Sequence, residues 1–140
     1  MYKIMLKKLS MLLFVVALVS ACASNSAKTD LSSSNKVYFD FDQIVPNTTS
    51  EEALKKQVEA LKADTNSKIL IEGYADVRGG AKYNKCLALK RAKTVKNYLV
   101  SQGIEADRIE VVSHGSENQI ASENGKILYK ENRVAIISIK

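Results

Sequence analysis

Lys68-Ile69-Leu70-Ile71-Glu72-Gly73-Tyr74-Ala75-Asp76-Val77-Arg78-Gly79-Gly80, continuing through Tyr83-Asn84 to Leu87-Ala88-Leu89-Lys90-Arg91-Ala92, is the stretch that decides the fold. Its apolar opening predicts a strand over 68–74, and Gly79-Gly80 predicts a loop. A helix follows over 83–102 and stops before Gly103, which suits the position just past a helix end. On a helical wheel Ala88, Ala92, Val95 and Leu99 form the core stripe, while Lys90, Lys93 and Lys96 point to solvent. Arg91 lies at the border of that stripe, about 20° from Asn84. From spacing alone Arg91 is either a snorkelling or salt-bridged structural cation or a ligand-binding one. Asp76 leaves the carboxyl end of the strand, the usual site position in α/β sheets, although an Asp there also serves simply as a turn residue. One carboxylate and one guanidinium facing each other suit a zwitterion: Asp76 accepts from an ammonium and Arg91 grips a carboxylate.

Reading outward, Val37, Phe39 and Phe41 alternate with Tyr38, Asp40 and Asp42, the period of a half-buried strand. Pro46 and Asn47 sit in the next loop. A first helix is predicted from Thr49 or Ser50, with Glu52 completing a capping box and Leu54, Val58 and Leu61 on one stripe, ending at Asp64 to Ser67. Ile109–Ser113 and Val134–Ile139 read as further strands, and the polar segment 115–132 between them has room for a short helix. The order strand, helix, strand, helix, strand, loop, strand predicts an α/β (α+β) sandwich with both helices on one face of a sheet.

The chain has 140 residues, a length suited to one domain, with 21 basic and 15 acidic side chains and a net charge of +6. Its first 21 residues are expected to be a signal peptide: Lys3, Lys7 and Lys8 precede the apolar run Met11–Val19, and Ser20, Ala21 and Cys22 follow. That run rises about 14 Å as a helix, short of the roughly 30 Å of a bilayer core. Removing the signal takes three Lys and no acid, leaving 18 basic and 15 acidic groups in 119 residues, a charge of +3. The signs are mixed along the chain, so a nucleic-acid partner is not expected. Residues 22–35 are Ser-rich and nearly free of large apolar side chains, which predicts a flexible tether of about 45 Å at full stretch. The globular domain is expected over 36–140. One His and two Cys do not make a zinc module, and no cofactor is expected.

The motif from Gly73 to Gly79, Tyr83-Asn84 and Leu87 to Ala92, with Val37 to Asp42 (VYFDFD) at the start and Asn132-Arg133-Val134 at the end, resembles the OmpA-like peptidoglycan-binding domain family. The likeness covers 36–140, and the family fold is a β-α-β-α-β-β sandwich with helices on one mixed sheet. The resemblance implies that Asp76 and Arg91 hold the amino and carboxylate ends of diaminopimelate in the peptidoglycan stem peptide. It implies that Asn84 and Arg133 support the pocket and that Phe39 and Asp40 line it. Val19-Ser20-Ala21-Cys22 resembles a bacterial lipobox, which implies acylation at Cys22. Ala23, which is not Asp, favours the outer membrane by the same analogy, with the domain in the periplasm. With that motif the whole chain resembles the lipoprotein branch of the family, which binds TolB and works with other Tol proteins in envelope integrity and cell division. The alternative within this branch is a domain serving mainly as a protein partner of TolB, with weak or lost wall binding.

The chain departs from the family pattern at Tyr74, where His is usual, at Ala88, where Ser or Gly is usual, and at Val134, where a second Arg is usual. An enzyme is not expected, because Asp76 has a cation for its partner and no second acid is placed beside it. His114, the one His, is expected to be a surface or packing residue. Cys86 falls near the Lys face and is expected to be a free, exposed thiol. Tyr83 either packs over the pocket or simply starts the helix.

Overall fold

A computed structural model describes residues 35–140. The expected signal peptide, Cys22 and the tether up to residue 34 lie outside the described residues. The elements are β1 (Lys36–Tyr38), α1 (Thr48–Ala63), β2 (Ile69–Tyr74), α2 (Ala81–Ser101), a 3-10 turn (Ala106–Arg108), β3 (Ile109–Gly115) and β4 (Val134–Ile139). The four strands form one mixed sheet in the order β1-β4-β2-β3. β2 and β3 run parallel, and β4 runs antiparallel to both β1 and β2. This is the predicted α/β sandwich, with the predicted order of elements.

The core lies between the sheet and the two helices. Val37, Ile69, Ile71 and Ile137 point from the sheet toward Leu54, Val58 and Leu61 of α1 and Val95 and Leu99 of α2, all buried. Alternation along β2 aims Gly73 at α2. A Cβ on Gly73 would fall 2.0 Å from the carbonyl oxygen of Ala88, so helix and strand touch backbone to backbone there. The closeness brings the first turns of α2 up against the end of β2, where the candidate site residues stand. Arg108 fastens the far end by donating to the carbonyls of Leu61 (3.2 Å), Ser67 (3.0 Å) and Asp64 at the close of α1. A cation suits the carbonyl end of a helix.

Three expectations need correction. β1 ends at Tyr38, with only a single bridge at Phe39 to Pro46, and Phe41 is 58% exposed. The chain turns away at Asp42, whose φ is 58°. The first helix is capped by Asn47, whose side chain accepts from the Ser50 backbone N–H at 3.1 Å, rather than by Thr49 with Glu52. Asn47 is a strong capping type, and the buried Ser50 hydroxyl accepts from the Tyr38 N–H at 2.7 Å, which fixes α1 to β1. Finally, 116–133 contains no helix; it is a set of turns held by Asn132, whose amide bonds the backbone of Ile120 and Leu128. None of the helices among the described residues is long and apolar enough to cross a membrane.

Candidate functional site

The end of β2, the first turns of α2, the loop after β1 and the residue before β4 enclose a pocket of about 270 Å³. Its walls are Phe41, Asp42, Asp76, Arg78, Gly79, Tyr83, Asn84, Leu87, Arg91 and Arg133. Asp76, Asn84, Arg91 and Arg133 are therefore brought together as the sequence suggests. Phe39 and Asp40 stand elsewhere. Phe39 is buried beneath the pocket, its ring centre 5.2 Å from the Arg91 guanidinium carbon, and Asp40 gives Arg91 its backbone carbonyl while its residue is exposed. The turn at Asp42 puts Phe41 and Asp42 into the wall in their place.

Asp76 is 4% exposed. Its carboxylate accepts from the Arg78 backbone N–H at 3.0 Å, from Arg78 Nε at 3.2 Å and Nη2 at 2.7 Å, and from Arg133 Nη1 at 3.4 Å. Burial alone would raise this carboxyl, but the hydrogen bonds and charge of Arg78, with help from Arg133, hold it below its ordinary range. The Arg78 guanidinium lies between two aromatic rings, 4.3 Å from the centre of Phe41 and 4.5 Å from that of Tyr129. Nothing in the helix pattern singles out Arg78; its position two residues after an Asp in a turn is the one local signal.

Arg91 stands beside Asn84 at the border of the apolar stripe, as the wheel suggests, and is fully buried there. Nε donates to the Gln43 carbonyl at 2.9 Å, Nη1 to that of Tyr74 at 3.0 Å and Nη2 to that of Asp40 at 3.2 Å. Burial pulls the guanidinium down to about 10, against the pull of the Asp76 charge, so it is protonated at neutral pH. Three of its five N–H groups are spent on backbone, and it clamps the loop after β1 onto β2. Arg133 does the same on the other side, donating from Nε to the Phe39 carbonyl at 3.0 Å.

Asn84 is 1% exposed, and its amide nitrogen has no hydrogen-bond partner among the described residues. A buried unpaired donor is costly and calls for an acceptor. Tyr83 both starts the helix and covers the pocket, its hydroxyl donating to Asp42. That bond, together with burial, raises the phenol pKa.

Tyr74 contributes only its carbonyl to the site. Its ring lies on the other face of the sheet, stacked on His114 at 4.8 Å between centres and 18° between planes. His114 Nε2 stands 2.8 Å from Glu72, which makes it the packing residue expected. Cys86 is free and exposed.

A buried acid, buried guanidinium groups and an unpaired amide donor stand around one pocket, an arrangement suited to a ligand carrying both charges. The chain belongs to the OmpA family, whose pattern matches residues 38–133. It is 38% identical over 107 residues to a protein of Buchnera aphidicola named peptidoglycan-associated lipoprotein, covering 76% of this chain and 62% of that one. A protein of that name from Pasteurella multocida is 31% identical over 151 residues, covering 95% of this chain and 99% of its own. The match spans only about six-tenths of several other relatives, 58% of the Agrobacterium fabrum protein among them. The crystal structure of the peptidoglycan-associated lipoprotein from Burkholderia pseudomallei superposes with a TM-score of 0.68 at 32% identity, covering 76% of this chain and 90% of that one.

Proposed function

We propose that the chain is an outer-membrane lipoprotein whose periplasmic domain binds the diaminopimelate-containing stem peptide of peptidoglycan without making or breaking a covalent bond. The observation that carries this reading is the convergence of Asp76, Arg91 and the unpaired Asn84 amide on one pocket. An ammonium takes the Asp76 carboxylate, and a carboxylate takes the Asn84 N–H and the free N–H groups of Arg91 and Arg133. The relatives named for peptidoglycan association support the same assignment.

In this reading residues 1–21 are a cleaved signal, Cys22 carries the acyl chains and 23–35 is the tether. Two or more acyl chains anchor stably where one does not. Confinement by a short tether raises the effective concentration of wall ligand, so weak single contacts add to firm attachment. Partnership with TolB and other Tol proteins, and a part in cell division, belong to the same proposal.

The test is co-sedimentation of the purified chain with intact peptidoglycan, with free meso-diaminopimelate as competitor. The wild type pellets with the wall, the competitor releases it, and Asp76→Ala leaves it in the supernatant while its circular dichroism spectrum stays that of the wild type. Failure of the wild type to pellet overturns the proposal.

A further inference from the structure

Arg78 stands where the proposed ligand's ammonium must go. Its fork makes two bonds to the Asp76 carboxylate, at 2.7 and 3.2 Å, and its backbone N–H makes a third at 3.0 Å. The side chain is nevertheless 43% exposed, against 4% for Asp76. Arg78 thus enters the buried acid from outside, as a ligand would. It also separates two spaces: the pocket of about 270 Å³ and a neighbouring one of about 460 Å³ lined by Ile127 to Glu131, with Arg78 and Arg133 in the wall of both. The rings of Phe41 and Tyr129 flank its guanidinium, so it can slide off Asp76 toward the larger space and keep an aromatic seat.

We propose that Arg78 is an internal competitor for Asp76, a latch that fills the ammonium subsite of the free domain and is displaced when ligand binds. The inference rests on the zwitterion-pocket reading above and adds a rule for selectivity. A ligand must bring enough beyond its ammonium to outbid a bidentate guanidinium, and a carboxylate for Asn84 and Arg91 supplies it. A monoamine replaces one cation by another and gains little. Arg133, which reaches Asp76 at 3.4 Å and is tied to the Phe39 carbonyl, is no such competitor, because it is 8% exposed and held in place.

Apparent affinity falls by the fraction of molecules in the open state, so a latch closed nine-tenths of the time weakens binding about tenfold. The experiment is calorimetric titration of the full chain, in detergent, with meso-diaminopimelate. Arg78→Gln is expected to bind about tenfold tighter than wild type. Arg78→Lys, which keeps the charge and loses the fork, is expected to fall between them. Lys130→Gln removes the same charge from the same groove without touching Asp76, and is expected to bind like wild type. Unchanged or weaker binding by Arg78→Gln, beside a wild type that binds, overturns the latch and leaves the pocket assignment standing. Equal tightening by Lys130→Gln overturns it too, since bulk charge then suffices. If neither wild type nor Arg78→Gln binds, the latch and the proposed function fall together.

Discussion

The Asp76 carboxylate and the Arg91 guanidinium line the same pocket and form no ion pair with each other: Arg78 holds the acid at 2.7 Å, and three backbone carbonyls hold the base. The two charges are therefore fixed separately. Neither has to break a bond to the other, but Asp76 has to give up Arg78 before it can take a ligand's ammonium. Arg91 is held in place in advance by its three carbonyls, and preorganisation of that kind lowers the cost of binding.

Arg91 is consequently part of the fold as well as of the site. Arg91→Ala removes its hydrogen bonds to the carbonyls of Asp40, Gln43 and Tyr74, of which that of Asp40 keeps another donor, the Gln43 N–H at 3.1 Å, and a hydrogen bond from a charged group is worth about 1.5–3 kcal/mol. The expected loss is at least about 3 kcal/mol, read as a drop in the urea midpoint. Arg91→Lys retains one or two of the bonds and loses less. If Arg91→Ala unfolds at the wild-type midpoint, the clamp is decorative.

Asp76 makes stability depend on pH in a defined direction. Its folded pKa lies below the ordinary carboxylate value, so the folded state binds this proton less readily than the unfolded chain. The contribution is full above the unfolded value of about 3.9 and is lost as the pH falls through the lower folded value. Asp76→Asn mimics the protonated acid. The gap between wild type and Asp76→Asn, measured by urea unfolding, is expected to be constant from about pH 5 to 7 and to close below about pH 4. A gap that stays constant down to pH 3 contradicts the assignment.

How far the sequence reveals this molecule depends on which interactions are local. The bounds of β4 follow from period, and the end of α2 follows to within a residue from Gly103, whose φ is 98°, although α2 starts at Ala81, two residues before the expected Tyr83. The end of β1 does not. Phe41 keeps the alternation of Val37 and Phe39, but the left-handed turn at Asp42 throws it outward, and nothing in a period of two announces a turn. The full burial of Arg91 escapes the wheel for a related reason. A wheel describes one helix, and the burial of Arg91 comes from the 40–43 loop closing over it. Asp76, Asn84, Arg91 and Arg133 were legible as a group through the family motif. The displacement of Phe39 and Asp40 by Phe41 and Asp42, and the hold of Arg78 on Asp76, are tertiary facts with little local trace.

Gly73 tests how the site is positioned. Because a Cβ there meets the backbone oxygen of Ala88 at 2.0 Å, no rotamer change relieves it, and α2 has to move off β2. Gly73→Ala is expected to cost about 3 kcal/mol, at the upper end for overpacking. Shortening the neighbour with Ala88→Gly does not rescue it, since the clash is with main chain. Restoration of the wild-type urea midpoint by the double variant would show that the contact is with the side chain after all.

Asn84 separates binding from stability most cleanly. Its amide nitrogen is buried without a partner among the described residues, so Asn84→Ala removes a group that contributes no hydrogen bond from that atom to the fold. Deleting an unpaired buried donor also removes its desolvation cost, which offsets part of the packing lost. The thermal midpoint is expected to move by only a few degrees, the scale of about 1 kcal/mol in a domain of this size. Binding is another matter: a hydrogen bond to a charged carboxylate is worth about 1.5–3 kcal/mol, so affinity for meso-diaminopimelate is expected to fall about tenfold or more. Asn84→Asp falls further, because it sets a carboxylate against the ligand's own. A variant that melts far lower while binding as well as wild type would make Asn84 a structural residue and move the ligand's carboxylate elsewhere in the pocket.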